Sequence, residues 1–115
     1  MSEFIYKLFR QKEWRDVQNA REYAGSADDL RDGFIHFSAA SQVRTTFDRY
    51  FATEYNPILA AVDSEMFGDA LKWEVSRGGE KFPHFYGVLK ASDVYSIVEI
   101  RRDADGRPIF PPEIP

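Results

Sequence analysis

Two short segments decide the fold of this chain, Gly33-Phe34-Ile35-His36-Phe37-Ser38 and Phe82-Pro83-His84-Phe85-Tyr86-Gly87. Each segment places one of the chain's two histidines among large aromatic residues. Alternate side chains of a strand point to opposite faces, so His36 shares a face with Ser38, and His84 with Tyr86. We therefore predict two strands that turn imidazole and hydroxyl groups toward one polar surface and their apolar neighbours toward a core.

The sequence around these segments predicts further strands and helices. Strand-like runs occupy residues 4–9, 58–63, 71–76 and 94–100, and helical spacing of apolar residues occurs at 11–20 and 43–51. In the third run, the alternation places Trp73 and Val75 on a core face and Glu74 on the opposite face. Ser38 is predicted to cap the second helix, which would direct the positive end of the helix dipole to an anion site beside His36. The result is an α+β domain with two helices in its N-terminal half.

Length and composition indicate one folded domain. The 115 residues suffice for a single core, and 43% hydrophobic with 16% aromatic residues argues against disorder. We predict one domain over residues 1–115, whose proline-rich tail at 108–115 is extended and lies on the surface.

Charge and cysteine content exclude several functional classes. The net charge of -4 argues against binding to long nucleic acid, although a single nucleotide remains possible. The absence of cysteine excludes disulfides, thiolate metal sites and cysteine nucleophiles. Residues 1–7 lack an export leader and no long apolar run occurs, so we expect a cytoplasmic protein that does not enter a membrane.

The two histidines are the principal candidates for chemistry. Neutral imidazole has one donor and one acceptor and titrates near neutrality, so His36 and His84 can serve as acid–base groups or as ligands of ribose or phosphate. The alternative is that each is a satisfied core residue. No ligand spacing for zinc and no nucleophile elbow around Ser38 is present, so neither a metal site nor a serine hydrolase is expected.

Two charged residues are further candidates. Glu74 follows Trp73 on a half-buried strand, where desolvation is expected to raise its pKa and suit it to acid–base or cation-stabilising work; the alternative is a salt bridge at the rim. Arg44 on the second predicted helix can clamp an anionic ligand, although a solvated helix face explains it equally well.

Several motifs together resemble a bacterial family of small proteins, the domain of unknown function 952 family. They cover almost the whole chain and comprise Tyr6-Lys7, Trp14, Asp32-Gly33-Phe34-Ile35-His36-Phe37-Ser38, Gln42-Val43, Trp73-Glu74 and Phe82-Pro83-His84-Phe85-Tyr86-Gly87. The resemblance implies a fold similar to the ADP-ribosyltransferases, whose split, mixed β-core holds NAD in a central cleft. The step from that fold to an activity is an analogy.

The resemblance also implies roles for individual residues. His36 with Ser38 corresponds to the early-strand histidine that bonds a ribose of NAD. Tyr86, with Phe82 or Phe85, would supply an aromatic face for nicotinamide. Glu74 would steady the positive charge that develops on the ribose, but it precedes Tyr86, whereas the transferases have histidine, tyrosine and glutamate in that order. Glu99 keeps the order, but its direction is not fixed by the pattern.

The resulting hypothesis is a cleft that binds NAD or a related nucleotide. Its ligand-binding residues are predicted to be His36, Ser38, Arg44, Phe82, His84 and Tyr86, with Glu74 and His36 as catalytic residues for ADP-ribosyl transfer or NAD cleavage. A non-catalytic module that senses a small ligand is the first alternative. The second is a protein-interaction domain that uses the proline-rich tail; the sequence names no protein partner.

Overall fold

A computed structural model describes residues 3–115; Met1 and Ser2, on which the leader and domain predictions partly fall, lie outside the described residues. The fold class is α+β, as predicted, but within residues 3–115 the N-terminal half has three α-helices rather than two, and the paired strands are all antiparallel rather than mixed. The strands are β1 (Phe4–Phe9), β2 (Glu22–Tyr23), β3 (Ile35–His36), β4 (Ile58–Asp63), β5 (Leu71–Val75), β6 (Lys81–Phe85), β7 (Leu89–Lys90) and β8 (Val94–Glu99). The α-helices are α1 (Gln11–Ala20), α2 (Ala27–Asp32) and α3 (Val43–Tyr50), with 3₁₀ segments at Ala40–Gln42, Ser64–Ala70, Arg77–Gly79 and Ala91–Asp93.

Two antiparallel three-stranded sheets form the body of the molecule. The first has the order β1-β4-β8 and the second β3-β6-β5, while β2 and β7 form a separate pair. A bridge between Tyr6 and Ser38 joins the two larger sheets, with both backbone N–H···O bonds at 2.8 Å. The segment after β3 therefore contacts β1 on one side and β6 on the other.

The core lies on both faces of the first sheet. Alternation along β1 sends Ile5 and Phe9 into a cluster with Trp14 and Phe37, and sends Tyr6 and Leu8 into a second cluster with α3. The neighbouring strand β4 is apolar over almost its whole length because its side chains enter both clusters. This confirms the strand predicted at residues 58–63 and gives it the central position in the first sheet.

Two local predictions were wrong. Trp73 and Val75 are 38% and 65% exposed, because β5 is an edge strand. Ser38 does not cap a helix: its backbone is used by the bridge to Tyr6, and a 3₁₀ segment with Ala39 at its start precedes α3. No helix dipole is therefore directed at His36 from this position.

The tail lies against the body of the protein and contacts α3. Ile114 is buried, and Phe110 packs edge-on against Phe47 with ring centroids 5.4 Å apart. Arg44 stacks over Phe110 and its Nε donates to the Pro115 carbonyl oxygen at 2.5 Å.

None of the helices within residues 3–115 has the length and apolar character needed to cross a bilayer.

Candidate functional site

The pairing of β3 with β6 brings the two histidines side by side. His36 lies directly opposite His84 in the antiparallel register, and their ring centroids are 5.4 Å apart. Both rings line one cavity of about 270 Å³, which opens where the Tyr6–Ser38 bridge joins the two sheets. Two segments that are far apart in sequence thus converge on the same space.

His36 is held at both ring nitrogens by carboxylates of α2. Its Nδ1 lies 2.6 Å from Asp29 Oδ1, and its Nε2 lies 3.1 Å from Asp32 Oδ2. The His36 backbone N–H also donates to Asp29 Oδ1 at 3.2 Å. The His36 ring therefore has little capacity left for hydrogen bonds to a ligand.

Asp29 is the centre of a group that we call the Asp29 cluster, comprising Lys7, Tyr23, Asp29 and His36. Asp29 is only 2% exposed, and its Oδ2 lies 3.3 Å from Lys7 Nζ and 3.4 Å from the Tyr23 hydroxyl, which donates to it. Burial alone would raise the pKa of Asp29, but the His36 bond and the Lys7 ammonium hold it below the ordinary value. The carboxylate is therefore ionised at neutral pH.

The local sequence explains how Asp29 reaches this position. Ser26 caps α2 by accepting from the Asp29 backbone N–H at 3.2 Å, and Asp29 Oδ2 accepts from the Ser26 N–H at 2.9 Å. Gly33 ends α2 with a φ of 87°, and the chain then enters β3. Asp29 was not among the candidates selected from the sequence; its position three residues after Ser26, where a capping-box carboxylate stands, was the available signal.

His84 differs from His36 because only one of its nitrogens has a partner. Its Nδ1 lies 2.9 Å from Glu74 Oε1, which also accepts from the Tyr86 hydroxyl at 2.7 Å. The ring is 3% exposed, and Phe34 stacks on it at 4.0 Å between centroids. Its Nε2 is buried with no hydrogen-bond partner among residues 3–115. Burial lowers the pKa of His84, which keeps the ring neutral and leaves Nε2 as an acceptor.

The expected pKa shift of Glu74 had the wrong sign. The Tyr86 hydroxyl and the His84 ring both donate to its carboxylate, and these bonds lower the pKa of Glu74. Glu74 is therefore an ionised group that fixes the His84 tautomer. The other glutamate considered, Glu99, lies on β8, where it bonds Gln11 and Arg101 away from the cavity.

Hydroxyl groups and a guanidinium lie at another part of the cavity, which we call the Arg77 corner and define as Ser38, Thr46 and Arg77. Thr46 Oγ1 lies 3.0 Å from Ser38 Oγ and accepts from Arg77 Nη2 at 2.9 Å. The Arg77 guanidinium stacks over Phe82 at 4.5 Å from its ring centroid. Arg77 and Thr46 were not among the candidates selected from the sequence.

The structure separates the predicted ligand-binding and catalytic residues into three groups. His36, Ser38, Phe82 and His84 line the cavity. Tyr86 and Glu74 are outside this lining and connect to it through His84. Arg44 lies elsewhere, in contact with the C-terminal tail. Within residues 3–115, no three His, Asp or Glu side chains are arranged to hold a metal ion.

Both the sequence and the fold of this chain are similar to those of known proteins. A family model described as "Protein of unknown function (DUF952)" matches residues 8–97. The crystal structure of protein CC0527 from Caulobacter crescentus is similar with a TM-score of 0.85 and 43% identity, covering 92% of this chain and 93% of that chain. The solution NMR structure of CC0527 has a TM-score of 0.81 and 44% identity, covering 91% and 90%. No curated protein matches the chain.

Proposed function

Since the chain belongs to the DUF952 family of proteins of unknown function, we propose that its cavity binds NAD or a related nucleotide. The observation that carries this proposal is the convergence of His36 and His84, with Ser38 and Phe82, on one cavity. Ligand sites combine aromatic or apolar walls with a few polar groups that fix orientation, and this cavity has both. Tyr50, Phe51 and Phe82 supply rings, and the histidine and hydroxyl groups supply polarity.

The unpartnered nitrogen of His84 supports a ligand with hydroxyl groups. A buried acceptor without a partner costs about 1–3 kcal/mol, and a ribose hydroxyl that donates to Nε2 would recover this energy. Nε2 is covered in the structure, so neighbouring side chains must move before a ligand hydroxyl reaches it.

The arrangement of the sheets supports a fold like that of the ADP-ribosyltransferases. Two three-stranded sheets meet through the single Tyr6–Ser38 bridge, and the cavity lies at this junction. That arrangement corresponds to a split β-core with a central cleft. A cytoplasmic location is part of the same proposal, because the chain has no cysteine to form the disulfides typical of exported proteins.

The size of the cavity favours one half of a dinucleotide. Its volume of about 270 Å³ is just below the roughly 300–1,000 Å³ of sites that enclose drug-sized ligands. A mononucleotide therefore fits better than the whole of NAD, whose second half would extend into solvent. NAD, ADP-ribose and nicotinamide mononucleotide are accordingly the ligands to compare.

Calorimetric titration of these three ligands against the wild-type protein and His84→Phe tests the proposal. The phenylalanine keeps the ring stacked on Phe34 but removes Nε2, so the affinity is expected to fall about tenfold, the equivalent of one hydrogen bond. Absence of binding by all three ligands at millimolar concentration would refute nucleotide recognition. An unchanged affinity in His84→Phe would remove His84 from the site.

ADP-ribosyl transfer or NAD cleavage is a second candidate, supported by the ionised carboxylate of Glu74. Such a carboxylate can stabilise positive charge on a ribose. Glu74 is occupied by His84 and Tyr86 and lies outside the cavity lining, so it must be exposed by a movement before it contacts substrate. Release of nicotinamide by the wild type and its loss in Glu74→Gln would establish the activity. Binding without release would favour a sensing module.

A protein-interaction role for the tail is a less favoured alternative. Phe110 and Ile114 contact the α3 side of the protein itself, and Arg44 binds the last carbonyl. Deletion of residues 108–115 is therefore expected to expose part of the core rather than to remove a free binding segment.

A further inference from the structure

The charged side chains that line the cavity are almost completely paired with one another. Lys7 pairs with Asp29 at 3.3 Å, and Arg10 pairs with Glu13 at 3.4 Å. Arg31 contacts the carboxylates of Asp28 and Asp32 at 3.2 and 3.1 Å. Of the lysines and arginines lining the cavity, Arg77 alone has no ion pair with a carboxylate of residues 3–115.

Arg77 is also partly removed from water. It is half-buried, and its guanidinium stacks over Phe82 and, at 5.2 Å from the ring centroid, over Tyr50. Burial lowers the pKa of Arg77, and the nearby charge of Glu80 offsets this only in part. A guanidinium that is partly desolvated, stacked on aromatic rings and without an ion pair is suited to receive an anion.

The hydroxyls of this corner have a donor to spare. Thr46 Oγ1 accepts from Arg77, and the Thr46 and Ser38 hydroxyls share one hydrogen bond that uses one of their two protons. Whichever hydroxyl donates in that bond, the other keeps a proton with no acceptor among residues 3–115. A ligand oxygen at the Arg77 corner would meet a guanidinium and an O–H donor together.

Building on the proposed nucleotide-binding function, we propose that the Arg77 corner is the subsite that binds the phosphate group of a nucleoside monophosphate. A monoester phosphate carries close to two negative charges and three oxygens that accept strong hydrogen bonds, so it suits a guanidinium fork with a hydroxyl donor. Phosphate at Arg77 would also supply the counter-ion that this arginine lacks.

The spacing of the strand residues supports this assignment. Phe82, on which Arg77 stacks, and His84 are two residues apart on one face of β6, which is about 6.6 Å along a strand. A ribose 5-phosphate spans a distance of this order between its phosphate and its ring hydroxyls. Phosphate at Arg77 therefore places the ribose beside His84, whose Nε2 accepts a hydroxyl proton.

Titration of phosphorylated and unphosphorylated ligand pairs tests the subsite. We would measure the affinities of nicotinamide mononucleotide and AMP, and of nicotinamide riboside and adenosine, with wild type, Arg77→Met and Arg49→Met. Methionine keeps an apolar stem against Phe82 and removes the charge. Arg49 is an exposed arginine whose charge acts on Arg77 but which does not line the cavity, so it controls for the general positive field.

We expect Arg77→Met to lower the affinity for both monophosphates at least tenfold and to leave the affinity for both nucleosides within twofold of the wild-type value. Arg49→Met is expected to change all four affinities by less than twofold. Equal losses for nucleosides and monophosphates, or no loss for either, would overturn the phosphate assignment while leaving nucleotide binding intact. A loss in Arg49→Met as large as that in Arg77→Met would also overturn it, because a diffuse field would then explain the effect.

Failure of the proposed nucleotide binding gives a different result from failure of the phosphate subsite. ³¹P NMR line broadening of inorganic phosphate reports the corner by itself. Phosphate that interacts with the wild type and not with Arg77→Met supports the subsite even if no nucleoside binds, in which case the nucleotide proposal fails alone. No interaction of phosphate or of any monophosphate with the wild type overturns the subsite.

Discussion

The Asp29 cluster and the Arg77 corner line the same cavity but differ in how their polar groups are satisfied. In the Asp29 cluster, a buried carboxylate receives bonds from His36, Tyr23 and the Ser26 backbone, and Lys7 neutralises it. In the Arg77 corner, a guanidinium has no ion pair within residues 3–115 and a hydroxyl proton has no acceptor there. The polar groups of the Asp29 cluster therefore bond to one another, whereas the Arg77 corner retains a charge and a donor suited to a ligand.

The same difference separates the two histidines. His36 has carboxylates at both ring nitrogens, whereas His84 has a carboxylate only at Nδ1. The sequence alone does not distinguish the roles of the two histidines, because their flanking residues are alike. The comparison indicates that His36 mainly holds the site together and that His84 is the one suited to contact a ligand.

Asp29→Asn is expected to have the largest effect on the difference between the two regions, through the unfolding free energy. The amide keeps the shape but places an NH₂ group where the surrounding donors require an acceptor, and it leaves Lys7 without its carboxylate. Breaking a buried charge pair in this manner is expected to cost about 3 kcal/mol of unfolding free energy. Urea denaturation followed by circular dichroism measures it.

Asp28→Asn is the matched control for this substitution. Asp28 is the neighbouring residue on α2, is exposed and, among residues 3–115, forms an ion pair only with Arg31 at the surface. Its replacement is expected to leave the urea midpoint nearly unchanged, since surface ion pairs contribute little. Equal effects of the two substitutions would mean that Asp29 does not organise the cluster.

Replacing each histidine by phenylalanine tests whether the two imidazole rings contribute differently to stability. His36→Phe removes the Nδ1 donor from the ionised, buried Asp29 and is expected to cost about 2 kcal/mol. His84→Phe removes a buried nitrogen without a partner but also the Nδ1 donor to Glu74, a partly exposed carboxylate that keeps the Tyr86 hydroxyl and gains water, so the unfolding free energy is expected to change by less than about 1 kcal/mol. Denaturant unfolding of both variants compares them directly; a larger loss in His84→Phe would reverse the assigned roles.

The pH dependence of stability gives the smallest effect. His84 has a folded-state pKa below the ordinary value of 6.5, so as pH falls from about 6.5 the unfolded chain takes up a proton that the folded chain does not. Stability therefore decreases through this window. Asp29, whose pKa is lowered from 3.8, produces a second decrease at more acidic pH, when the unfolded carboxylate becomes protonated. Thermal unfolding between pH 7 and pH 3 measures both steps.

Two variants distinguish these steps. His84→Phe is expected to abolish the decrease that begins near pH 6.5 and to retain the more acidic one. Glu74→Gln is expected to extend the first decrease to lower pH, because the Glu74 carboxylate raises the pKa of His84 against the effect of burial. A first step that persists in His84→Phe would assign it to another group.

Part of this molecule was predictable because its signals are local. A run of β-branched and aromatic residues predicted β1, and helical spacing predicted α1, each with the bounds that the structure shows. The apolar run at residues 58–63 predicted a strand, and it is apolar throughout because both of its faces are buried. The family was likewise recognised from short motifs and is confirmed by the match over residues 8–97.

The errors arose where contacts between distant segments override local pattern. Trp73 alternates like a core residue, but β5 is an edge strand that leaves it partly exposed. Ser38 has the chemistry of a helix cap, but its backbone is paired with Tyr6. Glu74 was expected to have a raised pKa, but donors from β6 and the residue that follows it lower the pKa instead.

Chain order and alternation by themselves determined which side chains share a face of a strand, because that geometry extends over only a few residues. They therefore identified His36 with Ser38 and His84 with Tyr86 as polar pairs. Strand register, decided in the folded molecule, set His36 opposite His84. The partners of each imidazole depend on residues that are many positions apart in sequence, and only the tertiary structure left Nε2 of His84 and the charge of Arg77 without partners among residues 3–115.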